Sequence, residues 1–519
     1  MGPGTRRRGS AGNRRRHRRL RDPRHPRLQS LDDLRQHRRA QQGGDRLLHA
    51  TRNGGARRRR GRRGGRVVAI EGYGVEPVPR ELRVVGWRDL FAINFTFFLN
   101  PVMYVLGALA VAQGGLPLPW AVLAMVTGQA LAFTVLLPVA EVGVDHGLPG
   151  QVSLRATLGF WGARLLSSPY RVVAATYWFA AQALTSAYGF QAIVQTMTGN
   201  RLPLVPVALG LAAVHAVLAL LGFDVMRYVL RVLLPLSLAL TGVLLSLYLS
   251  AGDPRFSLHR VLRSPDQHLT WVGFATYVTV MCGASLTLVT NVADICRYTR
   301  SRRDMRIGLF GSAVTSAIVT TFIGGYAAAA TGESNPFVAV AGLTHADAVL
   351  AVVLVAVVVQ SLAANVTNVY TAGLSLVNSV PLLGRFRASA LVAAVSIALS
   401  GFPDFVTHAQ HWIVHLGNVA APLTGVILAD YLLVRRRHVD VQALYEPRGR
   451  YRYIRGVNIA AVFATGIAVG AYYALPHAAV KVVWGIAIGG AAYVVLAAVQ
   501  RVVGSRARAT SKTRVRWAE

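Results

Sequence analysis

Charged residues are scarce in this chain, and their scarcity excludes a mainly water-soluble protein. Asp, Glu, Lys and Arg make up 15% of the 519 residues, whereas an average soluble domain contains about 25%. Hydrophobic residues account for 53%. No large soluble domain fits into such a composition.

Cysteine is nearly absent as well. The two cysteines, Cys282 and Cys296, both fall on one apolar stretch or at its end. A disulfide framework is therefore not indicated, and we expect both to be buried as small hydrophobic side chains.

Long apolar stretches are abundant between Asp89 and Val503. Each is close to the roughly 20 residues that cross a bilayer as a helix. The sequence therefore predicts an all-α, polytopic membrane protein with about 12 transmembrane helices. The predicted spans are residues 89–112, 118–143, 168–197, 203–222, 227–250, 271–294, 307–330, 347–378, 388–402, 410–434, 455–475 and 479–502.

Basic residues between the spans predict the topology, because cytoplasmic loops carry an excess of Lys and Arg. With the N-terminus inside, the inner segments hold most of these residues, among them Arg155, Arg164 and Arg171. We expect a multi-pass protein of the plasma (cytoplasmic) membrane with both termini in the cytoplasm.

Three spans carry uncharged polar groups or a helix breaker at mid-membrane depth. They are Asn100-Pro101 in the first span, Trp178 with Gln182 in the third, and Asn365 with Asn368 in the eighth. An unsatisfied polar group in hydrocarbon costs several kcal/mol, so these side chains should face the protein interior or a water-filled cavity. A cavity of amides and an indole without a fixed charge fits a neutral, planar, hydrogen-bonding solute.

Each of these features also has a structural interpretation. Pro101 can simply kink its helix, although transporters use such breaks to present carbonyls to cations. Trp178 can be an interfacial anchor, but it shares a helix face with Gln182, four residues on. The polar residues of the eighth span can join helices, and buried His215 and Glu141 can be structural or can carry a proton.

Four segments of the sequence resemble one family of permeases. They contain Gly147-Leu-Pro-Gly-Gln-Val-Ser-Leu-Arg155, Tyr177-Trp178-Phe179-Ala-Ala-Gln182, Asn365-Val-Thr-Asn368-Val-Tyr370-Thr-Ala-Gly373, and Pro422-Leu-Thr-Gly425 through Asp430-Tyr431-Leu-Leu-Val-Arg435. The family is the nucleobase–cation symporters, which includes permeases for cytosine, purines, uracil, allantoin, thiamine and hydantoins. The resemblance extends from about residue 76 to 502 and is stronger to the cytosine and purine branch.

The resemblance implies a five-plus-five inverted repeat followed by two C-terminal helices. Substrate would lie between a bundle of spans 1, 2, 6 and 7 and a scaffold of spans 3, 4, 8 and 9. Trp178 resembles the family's ring-stacking residue, Gln182 and Asn368 resemble its amide contacts, and Asn100 falls near the unwound part of the first span. Ser285 and Asn365 complete the candidate substrate residues.

The resemblance also yields candidates for the coupling cation: Phe98, Ser361, Ala364 and Thr367. Sodium-coupled members have hydroxyl side chains just before Asn365, where this chain has Ala363 and Ala364. Members of the hydantoin type have a second stacking Trp where this chain has Gly283-Ala284-Ser285. The coupling ion, Na⁺ or H⁺, and the base therefore stay open.

We expect a secondary active transporter, and no enzyme or cofactor, that imports cytosine or a purine by alternating access. Allantoin, uracil, hydantoin or thiamine are alternative substrates. A membrane receptor or channel with a basic tail that binds nucleic acid or lipid is an alternative of another class. The transporter domain itself, residues 76–502, is expected to be a monomer that contacts the lipid bilayer and no nucleic acid.

The excess positive charge lies mainly in an N-terminal extension. Residues 1–66 contain 23 Arg and 4 Asp and no aromatic residue, within a chain of net charge +34. We expect residues 1–75 to be disordered, and residues 503–519 to form a basic cytoplasmic tail. A polyarginine segment can contact RNA or anionic lipid. Alternatively, the natural product starts at Val67 or Val68 from a non-Met codon, because no Met lies between Met1 and Met103.

This alternative start predicts a shorter natural protein. Intact-mass measurement or N-terminal sequencing of natively expressed protein should find a chain that begins near Val67. A mass that includes residues 1–66 would contradict the prediction.

Overall fold

The computed structural model describes residues 74–220, 223–263, 267–404, 409–476 and 478–516. Nearly all of the predicted disordered extension, residues 1–73, lies outside these ranges, as do the last three residues of the predicted tail. All described residues belong to one compact unit, Val68–Glu519.

The described residues form helices and contain no β-strand, only two isolated bridges. We number the long helices in chain order. They are α1 (Trp87–Phe98), α2 (Pro101–Ala112), α3 (Leu118–His146), α4 (Ser168–Thr198), α5 (Leu204–Ala219), α6 (Phe223–Ser250), α7 (Trp271–Leu286), α8 (Arg302–Thr331), α9 (Asp347–Ser379), α10 (Gly384–Ser400), α11 (Ala409–Leu428), α12 (Ile459–Ala474) and α13 (Lys481–Arg516).

Each predicted span overlaps one of these helices, or the pair α1 and α2, but the count of twelve is not confirmed. By length and hydropathy, eight helices within the described ranges can cross a membrane, or nine if the bent pair is one span. Helices α5 and α12, of 16 residues each, are apolar but short. Helix α4 has 31 residues, but its polar side chains lower its mean hydropathy, so it is not one of these eight.

The first span is broken where the sequence predicts a helix breaker. Asn100 has an extended backbone, with φ −141° and ψ 159°, and Pro101 is the first residue of α2. Proline suits this position because its missing N–H would have no helical partner there. The axes of α1 and α2 therefore meet at 60°.

The helices pack into two groups. In the first group, α8 packs against α1, α2 and α3, and α3 also packs against α7. In the second group, α9 packs against α4, α5 and α10. Helices α12 and α13 pack on each other and on α11. The grouping agrees with the bundle and scaffold that the family resemblance implies.

The order of elements repeats within the chain. The broken pair α1 and α2 is followed by long α3, short helices such as Gly150–Ser153, long α4 and α5. Likewise α7 is interrupted before the short helix Val292–Cys296, and then come α8, the short helix Pro336–Ala341, α9 and α10. This recurrence is what a five-plus-five repeat requires.

Glu141, near the end of α3, joins elements of the first group to the segment after α11. Its carboxylate lies 2.8 Å from Arg306 Nη2 and 3.3 Å from Nη1 of both Arg302 and Arg437. The Glu141 side chain is 2% exposed. Three arginine partners for one buried carboxylate favour the structural interpretation of this residue over proton carriage.

Helices α2 and α8 touch through glycines. A Cβ on Gly324 would lie 1.9 Å from the carbonyl oxygen of Tyr104, and one on Gly107 would lie 2.5 Å from the Cα of Thr321. Small residues allow such close backbone approach between membrane helices. Any side chain at Gly324 must therefore push the two helices apart.

We expect Gly324→Ala to destabilise the protein by about 1–3 kcal/mol, the usual cost of overpacking. Thermal unfolding of purified protein in detergent measures the effect. The control is Gly470→Ala in α12, where an added Cβ meets nothing within 4 Å. Equal unfolding temperatures for the two variants would show that the α2–α8 contact is not tight.

Candidate functional site

A small buried cavity lies where the two groups of helices meet. Its volume is about 20 Å³, which is room for a water-sized molecule and far below the roughly 300–1,000 Å³ of ordinary ligand pockets. The lining residues are Phe97, Phe98, Asn100, Met103, Arg171, Trp178, Gln182, Ala284, Thr287, Leu288 and Asn368. A ring-shaped solute must displace some of these side chains to enter.

Four of the six predicted substrate residues line this cavity: Asn100, Trp178, Gln182 and Asn368. They come from both groups, Asn100 from the break between α1 and α2, Trp178 and Gln182 from α4, and Asn368 from α9. All four are at most 6% exposed. The residues chosen for their polarity therefore converge on one place, although their role in binding stays a prediction.

The side chain of Asn100 holds the helix break together. Its Oδ1 accepts hydrogen bonds from the backbone N–H of Met103 at 3.0 Å and from Gln182 Nε2 at 2.7 Å, and its Nδ2 donates to the Phe97 carbonyl at 2.6 Å. Gln182 Oε1 also accepts from the backbone N–H of Val102 at 3.4 Å. An amide–amide bond thus connects the first group to the second across the cavity.

Trp178 is buried beside this pair, and its indole N–H has no hydrogen-bond partner among the described residues. Trp178 and Gln182 are four residues apart in α4, which places both on one helix face. An indole can stack on a flat ring. The face of α4 toward the cavity therefore offers a stacking surface and an unused donor.

Arg171 is a charged lining residue that the sequence did not predict at this site. It was assigned to the inner loops, and the cavity was expected to lack a fixed charge. Arg171 lies instead in the first turn of α4, is 1% exposed and lines the cavity, so the expected absence of a fixed charge is wrong. Its Nη2 donates to Thr371 Oγ1 at 2.7 Å and lies 3.4 Å from Asn368 Oδ1. The seven-residue spacing to Trp178, two helical turns, was the available signal.

The other two predicted substrate residues are engaged elsewhere. Asn365 Nδ2 donates to the Phe179 carbonyl at 3.3 Å and lies 3.1 Å from His215 Nδ1. Ser285 Oγ donates to Gln129 Oε1. Neither residue lines the cavity, although Ala284, next to Ser285, does.

The predicted cation residues are not gathered at one point by the described hydrogen bonds. Phe98 lines the cavity, and its carbonyl accepts from the backbone N–H of Asn100 at 3.0 Å. Ser361 Oγ donates to the Val357 carbonyl and lies 3.3 Å from His215 Nε2 on α5. Thr367 Oγ1 donates to the Ala363 carbonyl at 3.3 Å, and Ala364 is buried next to it. Their role as a cation site stays a prediction.

His215 belongs to the hydrogen-bonded core between α5 and α9. It is fully buried, and both ring nitrogens have partners. Because Asn365 Nδ2 is a donor, the neutral ring accepts at Nδ1 and carries its proton on Nε2, toward Ser361. This arrangement fits the structural interpretation of the residue.

A second cleft lies beside α12 and α13 and holds none of the predicted site residues. Its volume is about 1350 Å³, and Tyr451, Arg452, Tyr453 and Tyr493 are among the residues that line it. It is far larger than the central cavity, but it lacks the convergence of polar groups from both helix groups.

Comparison with solved structures identifies the fold. It matches that of a nucleobase-cation-symport-1 family transporter, solved in a closed conformation with bromovinylhydantoin bound, with a TM-score of 0.71. The match has 21% sequence identity and covers 84% of this chain and 96% of the other. The arrangement of helices described above is thus a fold already seen in a membrane transporter.

Sequence comparison then gives the family. The family described as permease for cytosine/purines, uracil, thiamine, allantoin matches residues 77–497, and the chain belongs to it. A hydantoin permease of Microbacterium maritypicum is 25% identical over 406 residues, which are 75% of this chain and 81% of the relative. An allantoin permease of Bacillus subtilis (strain 168) is 23% identical over 447 residues, 77% of this chain and 88% of the relative. The protein is accordingly a permease and not an enzyme.

Proposed function

We propose that this protein is a secondary active importer of a nucleobase, driven by a cation gradient. The observation that carries the proposal is the buried cavity in which an indole and three carboxamides from both helix groups converge. Such a set can stack on a planar ring and can both donate to and accept from its edge.

The position of the cavity supports alternating access. The cavity is formed between two groups that each pack internally, so one group can rock against the other as a unit. The broken first span supplies the hinge-like element, because Asn100 already has a non-helical backbone. A cavity of about 20 Å³ corresponds to a closed stage of this cycle.

The identity of the transported compound is a separate part of the proposal. Cytosine or a purine was expected from the resemblance to that branch of the family. Permeases for allantoin, uracil, hydantoin or thiamine are alternatives within the same family, and two relatives are named for hydantoin and allantoin. The nucleobases among these compounds are planar heterocycles with donors and acceptors at the ring edge, which is the chemistry that the lining residues fit.

The coupling ion is Na⁺ or H⁺. Sodium prefers oxygen ligands, and the segment around Phe98 offers backbone carbonyls at the helix break. The hydroxyls of Ser361 and Thr367 already donate within α9. The protein is placed in the cytoplasmic membrane, with both termini inside, on the distribution of basic residues.

Uptake measurements test this function directly. In a permease-null host, we expect radiolabelled cytosine, adenine, hypoxanthine, uracil or allantoin to accumulate above the vector control. Replacing sodium by choline should abolish uptake if Na⁺ is the coupling ion, and a protonophore should abolish it if H⁺ is. Absence of accumulation for every compound, with the protein in the membrane, would refute the proposal.

Loss of either carboxamide should weaken substrate uptake. Gln182→Ala and Asn368→Ala should each lower uptake at limiting substrate by about 5- to 150-fold, since losing a buried polar contact costs on the order of 1–3 kcal/mol. Surface expression should persist.

Gln191→Ala is the matched control. Gln191 lies on the same helix, but its Nε2 donates to the Leu202 carbonyl and it does not line the cavity. We expect this variant to transport like the wild type. Normal uptake by both Gln182→Ala and Asn368→Ala would show that the cavity is not the substrate site.

A further inference from the structure

Arg171 places more hydrogen-bond donors at the cavity than its protein neighbours use. Its Nη2 reaches Thr371 and Asn368, but Nε and Nη1 have no hydrogen-bond partner among the described residues. Among the described residues, no carboxylate forms an ion pair or a hydrogen bond with Arg171. Two donors of a buried cation are thus left unpaired.

A second lining residue, Trp178, also has an unpaired donor. Trp178 Nε1, a donor, has no partner in the described part of the chain. Each carboxamide oxygen already accepts at least one hydrogen bond: Asn100 Oδ1 from Met103 and Gln182, Gln182 Oε1 from Val102, and Asn368 Oδ1 from Arg171. The unpaired groups near Arg171 and Trp178 are therefore donors.

A purely structural role does not account for Arg171. One nitrogen suffices to tie α4 to α9 through Thr371, and that leaves a buried charge with unsatisfied donors. Such groups are costly unless something pairs with them. A ligand that brings oxygen acceptors to this edge of the cavity would supply the missing partners. A guanidinium N–H donates well to a carbonyl oxygen, because the cation strengthens the hydrogen bond.

We propose that Arg171 selects heterocycles that present a carbonyl oxygen to it, and that it rejects heterocycles with an amino group at the same position. The inference rests on the proposed function and narrows its substrate class to bases with an oxo group where cytosine and adenine have their amino group, such as uracil and hypoxanthine. An exocyclic amino group would place a donor against two other donors, the guanidinium and the indole N–H. Since neither can accept a hydrogen bond, no bond would form between the amino group and Arg171.

Two matched pairs of compounds test the proposal. Uracil and cytosine differ at one position in an oxo or an amino substituent, and so do hypoxanthine and adenine. We expect the oxo member of each pair to compete for uptake, and to raise the unfolding temperature of the purified protein, at concentrations about tenfold or more below those of the amino member. Tenfold corresponds to about 1.4 kcal/mol.

Variants of Arg171 locate the preference in this side chain. Arg171→Met should bring the oxo-to-amino ratio close to one, mainly by weakening the oxo compounds. Arg171→Lys keeps a cationic donor and should retain a reduced preference. The control is Arg164→Met. Arg164 is half-buried outside the cavity and donates to the Ser379 carbonyl, so the oxo-to-amino ratio of this variant should equal that of the wild type.

The outcomes separate this inference from the proposed function. If no base is transported and none shifts the unfolding temperature of the wild type, the proposed function fails. If bases bind but the amino members bind as well as the oxo members, only the selection by Arg171 is overturned. An unchanged ratio in Arg171→Met overturns it too. Should Arg171→Met not fold, a ratio in Arg171→Lys equal to that of the wild type overturns the inference, and a reduced ratio supports it.

Discussion

Backbone polar groups inside a membrane must find their partners within the protein, and the break at Asn100 is where this constraint governs the structure. Pro101 interrupts the span, and backbone N–H and carbonyl groups left without partners at the break would be costly in hydrocarbon. The Asn100 side chain pairs two of them, because it accepts from the Met103 N–H and donates to the Phe97 carbonyl. It also accepts from Gln182 of the opposite helix group. The same side chain thus stabilises the break and closes the cavity. The 60° bend and the amide–amide bond between the two groups both involve this side chain.

The helical architecture could be predicted because it depends on length and hydropathy alone. Every predicted span overlaps a helix, and the break at Asn100-Pro101 lies where the sequence placed it, since proline has few options in a membrane helix. The predicted number of twelve is not confirmed by length and hydropathy, because α4 is too polar and α5 and α12 are too short to be counted among the described helices that can cross a membrane.

The site could be predicted only in part. Trp178, Gln182 and Asn368 were found because polar groups at mid-membrane depth need a partner or a cavity. Asn365 was chosen by the same argument, yet it turns toward His215 and Phe179. Helix α9 is buried on every side around residues 360–375, so periodicity does not tell which polar residue faces the cavity. Arg171 was not predicted as a lining residue because an arginine at the start of a membrane helix usually lies at the cytoplasmic surface. Its burial depends on the helices that pack around it.

The amide–amide bond between Gln182 and Asn100 has a consequence for thermodynamic efficiency. It joins the two groups that move relative to each other in the proposed transport cycle, so the bond must break when they part around the cavity. A carrier that holds only the coupling ion would break it without compensation, whereas a heterocycle bound as proposed can replace it with contacts of its own. The energy barrier for crossing with the ion alone is then higher than for crossing with substrate, which limits leakage of the ion gradient.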